Sequence, residues 1–228
     1  MEIFDQIPLA LDPEAVANRI HHNPARTDAA DLDGLLAQAR SLIRLRAVYE
    51  VSYIGAKGED TVDVAGVVFR SRILRRNLDQ ALKVFPFIIT AGPELEAAAG
   101  SSGDLLRQYY LEEIANMALE AGAGWLADQL KTRWGFAGLS SMDPGSLEDW
   151  PITEQPKLFS IFGDAQSLIG VRLTESMLMI PRKSISGILF PSEGGFSSCQ
   201  LCERVSCPGR RTPYDKVLAA KYAADDKG

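Results

Sequence analysis

Cys199, Cys202 and Cys207 are the only cysteines among 228 residues, and all three fall within the stretch "SSCQLCERVSCPGRR". Cys199-x-x-Cys202 is the spacing by which two thiolates reach one metal ion, and Cys207 can close a third corner if Pro208 and Gly209 bend the chain. Three sulfurs leave one place open. No histidine is near, so the fourth ligand of a zinc ion would be remote, a water or a partner's group, and an iron-sulfur cluster with one iron not ligated by cysteine fits equally well. Two other readings stay open: a redox-active dithiol of Cys199 and Cys202, and surface thiols with no task. Arg210 and Arg211 beside them would suit an acidic electron donor such as flavodoxin or ferredoxin.

Other chemistry-bearing residues are sparse. Glu154 falls in the first turn of an expected helix, where a carboxylate complements the dipole. His21 and His22 stand beside a helix end with no cysteine or carboxylate arrangement around them. Neither a Ser-His-Asp nor a Cys-His signature is present, so hydrolysis through a nucleophile is unsupported, and no G-x-G-x-x-G follows a strand.

The composition is that of a globular chain, 46% hydrophobic and 24% charged, which points neither to disorder nor to a membrane span. The net charge of −6 gives no support to a nucleic-acid surface; the basic spots "RSRILRR" and "CPGRRTPYDK" read as solvated faces. The N-terminus lacks a basic and apolar leader pattern, so the expected compartment is the cytoplasm, where thiols stay reduced.

The elements that must position these residues follow from periodicity. Asp12 and Pro13 start a short helix over 13–20, and "DLDGLLAQARSLIRL" carries leucines at helical spacing. "AVYEVSYI" and "TVDVAGVVF" alternate and read as a hairpin about the Gly55 to Gly58 turn. Ser71 caps a helix through "RILRRNLDQALKV", "FPFIIT" is a buried strand, and Pro93 opens another helix. The clearest helix is 104–133, with an apolar stripe through Leu106, Tyr110, Ile114, Met117, Ala121 and Trp125 and small residues that let a neighbour approach. Residues 135–150 read as loop, "ITEQPKLFSIFG" as helix, and "VRLTESMLMIP" with "SISGILFPSE" as a hairpin turning at Arg182 and Lys183. The tail from 219 reads as frayed. Without a repeated β-α-β cadence, the fold class is α+β, an antiparallel sheet flanked by helices.

At "GVRLTESMLMIPRKSISGILF" the chain resembles the activation domain of vitamin-B12-dependent methionine synthase, in which Leu-Thr-Glu-Ser leads through Met and Pro into Ser-x-Ser-Gly. Leu173, Thr174, Glu175, Ser176, Met179, Pro181, Ser184, Ser186 and Gly187 fall in register. A long Ala-rich helix ending in "RWGF", a Pro-Gly loop at Pro144 and Gly145, and "TEQPKLF" precede it in the same order. The likeness covers residues 100–192 best within a domain over 1–192; residues 193–228 form a cysteine-containing segment and tail.

The resemblance implies the fold of that domain and a stand-alone reactivation module. It would bind S-adenosylmethionine through Pro144, Gly145, Glu175 and Ser176 and dock on the corrinoid-binding domain of a methyltransferase, which carries cobalamin, to support reductive remethylation of Co(II). It would be a component of a methyltransferase system with no catalytic residue of its own. Where the family loop carries Arg and Tyr around Pro-Gly, this chain has Ser141 and Ser146, with Arg133, Arg182 and Lys183 as substitutes for the lost cation. Two alternatives stand beside this: a metal or iron-sulfur electron-transfer protein of the same fold that no longer binds S-adenosylmethionine, and a pure corrinoid-protein interaction module.

Overall fold

A computed structural model describes residues 1–22, 31–207 and 209–224. In chain order the elements are β1 (Glu2–Phe4), α1 (Pro13–Arg19), α2 (Leu32–Leu42), β2 (Arg46–Tyr49), β3 (Ser52–Lys57), β4 (Thr61–Val64), β5 (Val67–Arg70), α3 (Arg72–Asn77), β6 (Lys83–Thr90), α4 (Glu94–Gly100) and α5 (Leu105–Trp134). There follow β7 (Leu139–Met142), α6 (Gln155–Ser160), α7 (Ala165–Ile169), β8 (Arg172–Leu173), β9 (Met179–Ile180), β10 (Ser184–Pro191) and α8 (Lys216–Ala224), with 3-10 turns at Ile152–Glu154 and Ser198–Gln200. Each strand pairing given below is antiparallel and helices pack on the strands, so the class is α+β as expected.

The chain divides into two compact units, each assembled from three segments. The first comprises residues 1–49, 88–129 and 164–185. Here Asp12 caps α1 by accepting from the Glu14 and Ala15 amides, with Pro13 at the first position, as its sequence requires. β1 pairs with β2 from Glu2↔Tyr49 to Phe4↔Ala47. The buried line of α5 runs through Leu111, Ile114, Ala118, Gly122 and Leu126, rotated from the expected stripe; Leu106 is left exposed. Gly122 is the reason that line can close: a Cβ there would lie 3.0 Å from Leu45 Cδ2 and 3.1 Å from Ile89 Cδ1.

The second unit comprises residues 50–87, 130–163 and 186–228. "AVYEVSYI" is split at Glu50 and Val51 into β2 and β3, and "TVDVAGVVF" at Ala65 and Gly66 into β4 and β5. Both turn residues have positive φ, 58° and 81°, the conformation tight hairpins need. β3 pairs with β4 and with the start of β6, β4 with β5, and β7 with β10. β7 lies in the segment expected to be loop; burial alternates along it, with Ser140 and Met142 inward, but Leu-Ser-Ser-Met shows no apolar-polar alternation that would mark a strand. α3 packs on β4 and α6 on β5, around a core in which Phe69, Leu74, Leu78, Trp150, Leu158, Ile188 and Phe190 are buried. Phe69 meets Trp150 edge to face at 5.8 Å.

Two expectations are corrected. The Leu-Thr-Glu-Ser hairpin does not turn at Arg182 and Lys183: β8 pairs with β9, Arg172 opposite Ile180, and the turn lies between them. Thr174 sets it, its hydroxyl accepting from the Leu178 amide at 3.0 Å and its amide donating to the Leu178 carbonyl. The tail is not frayed from 219. Asp215 Oδ1 accepts from the Val217 and Leu218 amides at 3.0 and 2.9 Å, which starts α8.

Candidate functional site

The second unit holds a cavity of about 1050 Å³. One wall is α3, presenting Arg72, Arg75 and Arg76; another is the loop from Gly145 to Asp149; the others are Leu201 to Arg204 with Tyr214, and Tyr222 of α8.

The Pro-Gly loop begins at β7. Gly145 has φ +85°, and a Cβ on it would meet Ile152 Cδ1 at 3.0 Å, so the position demands glycine. Its amide donates to the Trp150 carbonyl at 2.8 Å, and the Ser146 amide donates to the Asp143 carbonyl at 3.1 Å. The Ser146 hydroxyl donates to the same carbonyl and lies 3.2 Å from Ser198 Oγ. Asp149 ends the loop and closes the N-terminus of α3: it accepts from the Ser71 hydroxyl and from the Arg72 and Ile73 amides, the last at 2.9 Å. The orphan amides of that helix start are therefore taken by protein.

Asp143 is enclosed although its side chain is 20% exposed overall. Oδ1 is buried without a hydrogen-bond partner. Desolvation pushes the carboxyl up to about 6, and the Arg211 guanidinium opposes the rise from 3.8 Å away. Gly187 faces it: a Cβ there would fall 2.2 Å from Asp143 Oδ1 and 2.6 Å from the Met142 carbonyl.

The arginines are ordered by neighbours. Arg75 pairs with Asp79 at 2.8 Å and donates to the Gly58 carbonyl. Arg76 stacks over the Tyr222 ring at 4.4 Å and donates to the Lys221 carbonyl. Tyr222 in turn donates to Asn77 Oδ1 at 2.7 Å, and burial raises its phenol. Tyr214 donates to Glu203 at 3.1 Å. The Arg204 side chain has no partner among the described residues.

The cysteine segment is built around a guanidinium. Arg210 donates to the carbonyls of Cys199 at 3.1 Å, Thr212 at 3.3 Å, Cys202 at 3.1 Å and Arg204. The expected metal centre finds no support: among the described residues no three His, Cys, Asp or Glu side chains form a group that could hold a metal ion. Cys199, Cys202 and Cys207 are half-buried and free, and the loop turns its carbonyls inward on Arg210 rather than its sulfurs on a common point. Pro208, on which the third corner depended, lies outside the described residues. Arg210 is thus spent inside the loop and unavailable to an electron donor. Burial pushes the Cys199 thiol up, but the amides of Arg211 and Thr212, the Ser197 hydroxyl and the Arg211 charge outweigh it and hold the thiol below its ordinary value.

The remaining candidates lie elsewhere. Glu175 and Ser176, expected on a strand, occupy the exposed turn between β8 and β9. The hydroxyls of Ser176 and Thr174 lie 3.0 Å apart, and the Glu175 carboxylate has no partner among the described residues. They belong to the first unit; Pro144, Gly145 and the cysteines belong to the second. Arg182 and Lys183 are tied within the first unit to Glu96, Glu112 and Asn116, which leaves neither free to replace a lost cation. Arg133 lies 5.7 Å from the Trp134 ring. Glu154 is not a dipole partner alone: Oε2 accepts from the Arg70 amide at 3.0 Å and Oε1 pairs with Lys157 at 2.7 Å. His21 and His22 join no ligand cluster among the described residues. Sequence reasoning missed the cavity arginines, because "RSRILRR" reads as a solvated run, and Tyr222, because α8 went unrecognised; the signal for α8 was Asp215 ahead of helix-forming residues.

No family model matches this chain, and no curated protein matches it by sequence. Among solved structures, its fold is similar to that of the crystal structure of the MetH reactivation domain bound to AdoHcy, with a TM-score of 0.58 over 83% of this chain and 73% of that one. The identity is 16%, so the likeness is one of fold. No helix among the described residues is long and apolar enough to cross a membrane.

Proposed function

We propose that this chain is a reactivation module for a cobalamin-dependent methyltransferase, holding S-adenosylmethionine in the cavity of the second unit and working on a partner's corrinoid-binding domain in the cytoplasm. The observation that carries the reading is that the Gly145 loop forms a wall of a cavity whose other walls supply arginines and tyrosines. Ser141 and Ser146 stand where the resembled family has Arg and Tyr, and α3 and the C-terminal segment bring those chemistries from elsewhere. Arg72 and Arg76 suit a carboxylate, the rings of Tyr214 and Tyr222 suit an adenine or a sulfonium, and Glu148 and Glu203 suit an ammonium group.

A solved neighbour of the same fold holds AdoHcy, the product left when S-adenosylmethionine gives up its methyl group. The partner's corrinoid, once reduced by an external one-electron donor, would supply the methyl acceptor, and AdoHcy would be the product left on this chain. This chain binds and orients the methyl donor. Glu175 and Ser176, on the exposed hairpin turn of the first unit, offer a carboxylate and a hydroxyl to the partner's surface.

The test mixes the chain with a Co(II) corrinoid protein, a chemical reductant and S-adenosylmethionine, and follows methyl-cobalt absorbance. The reading expects methylation that depends on the chain. Equal rates with and without it overturn the reading.

A further inference from the structure

We infer that Cys199 and Cys202 form a thiol-disulfide exchange pair, with Cys199 the attacking sulfur, Cys202 the resolving one and a small disulfide as substrate. This stands independently of the adenosyl reading.

The local geometry places the two residues for it. Ser197 caps the 3-10 turn Ser198–Gln200, accepting from the Cys199 amide at 3.3 Å while its own amide donates to Gln200 Oε1 at 2.9 Å. The Cys202 amide then donates to the Cys199 carbonyl at 3.3 Å. An i to i+3 bond of this kind keeps the two Cα atoms within roughly 7 Å, and disulfides span roughly 4.4–6.8 Å. Arg210 fixes the turn from the other side, one arm of its guanidinium on the Cys199 carbonyl and the other on that of Cys202. A planar fork on both carbonyls holds their separation in either redox state.

The two sulfurs are not equivalent. Cys199 Sγ accepts from the Arg211 amide at 3.5 Å, so the attacking position has a donor that stabilises developing negative charge. Neither Cys202 nor Cys207 Sγ accepts a hydrogen bond among the described residues. Cys207 gives its carbonyl to the Arg210 amide and lies on the far arm of the loop, outside the turn.

The reaction balances without a further oxidant. The Cys199 thiolate attacks one sulfur of the small disulfide, whose S–S bond breaks as a Cys199–S–S bond forms, and one thiolate leaves. The Cys202 thiolate attacks Cys199 Sγ in that mixed disulfide and expels the second thiol. Two protein thiols are oxidised to one disulfide, and one small disulfide is reduced to two thiols.

Full-length Cys207→Ser protein, incubated with oxidised glutathione, is read by free-thiol titration and intact mass. The expected result is loss of both remaining thiols with no glutathione retained. Adding Cys202→Ser stalls the protein as a stable glutathione adduct, and adding Cys199→Ser slows reaction with an aromatic disulfide reagent about tenfold or more. Arg210→Lys keeps the charge but loses the fork, so closure slows and the adduct accumulates transiently. Equal rates for the Cys199→Ser and Cys202→Ser proteins, a lasting adduct on the Cys207→Ser protein, or a metal ion that the three thiols retain through purification would each overturn the proposal.

Discussion

Ser146 Oγ lies 3.2 Å from Ser198 Oγ, so the residue after the Pro144–Gly145 turn touches the residue before Cys199. The same two segments meet again where Arg211 faces Asp143 at 3.8 Å. The loop and the cysteine segment, some fifty positions apart, are therefore in contact beside the cavity whose adjoining walls they form.

Asp143 sets a pH dependence of stability. Its folded value, about 6, lies above the unfolded one, because burial penalises the charged form. Below about pH 4 the group is protonated in both states and its contribution is fully present. As pH rises toward 6 the unfolded chain ionises first, so the contribution is lost. The ceiling is about 3 kcal/mol. In urea unfolding from pH 4 to 8, Asp143→Asn removes this fall relative to the parent, and Arg211→Ala moves it to higher pH; an unchanged slope in Asp143→Asn contradicts the assignment.

Two glycines are predicted to fail for different reasons. Gly145→Ala forces a Cβ at φ +85° against Ile152, at a cost of about 1–2 kcal/mol. Gly187→Ala meets the Met142 carbonyl at 2.6 Å and Asp143 Oδ1 at 2.2 Å, where β10 and β7 pair and the backbone must move, so its cost is roughly 3 kcal/mol or more. Thermal unfolding orders them, Gly187→Ala the lower.

Asp149 is worth more than a surface carboxylate. Asp149→Ala leaves the Ser71 hydroxyl and two α3 amides without their acceptor, at a cost of about 1–3 kcal/mol. The change in chemical denaturation midpoint measures it, and hydrogen exchange at Arg72 and Ile73 speeds up with it.

What was legible in the sequence is what local chemistry decides. Asp12 and Pro13 start α1 by contacts within four residues, α5 announces itself by length, and the Pro144–Gly145 turn by residue type. The Leu-Thr-Glu-Ser segment misled because Thr and Ser mimic strand alternation, whereas the Thr174 hydroxyl bonds Leu178 and makes a turn. The cavity was hidden because its walls come from α3, the 145–149 loop and α8, and nothing local in "RSRILRR" marks Arg76 as the residue that meets Tyr222. The cysteines suggested a metal by spacing alone; the carbonyl clamp of Arg210 depends on backbone that spacing does not encode.

The central claim is that an adenosyl ligand sits in the second unit's cavity, and the most direct measurement is calorimetric titration of the chain with AdoHcy and S-adenosylmethionine. Saturable one-to-one binding is predicted, weakened about tenfold or more by Arg76→Ala and retained in Cys207→Ser. No heat at millimolar ligand, or binding that Arg76→Ala and Tyr222→Ala leave unchanged, would contradict the account.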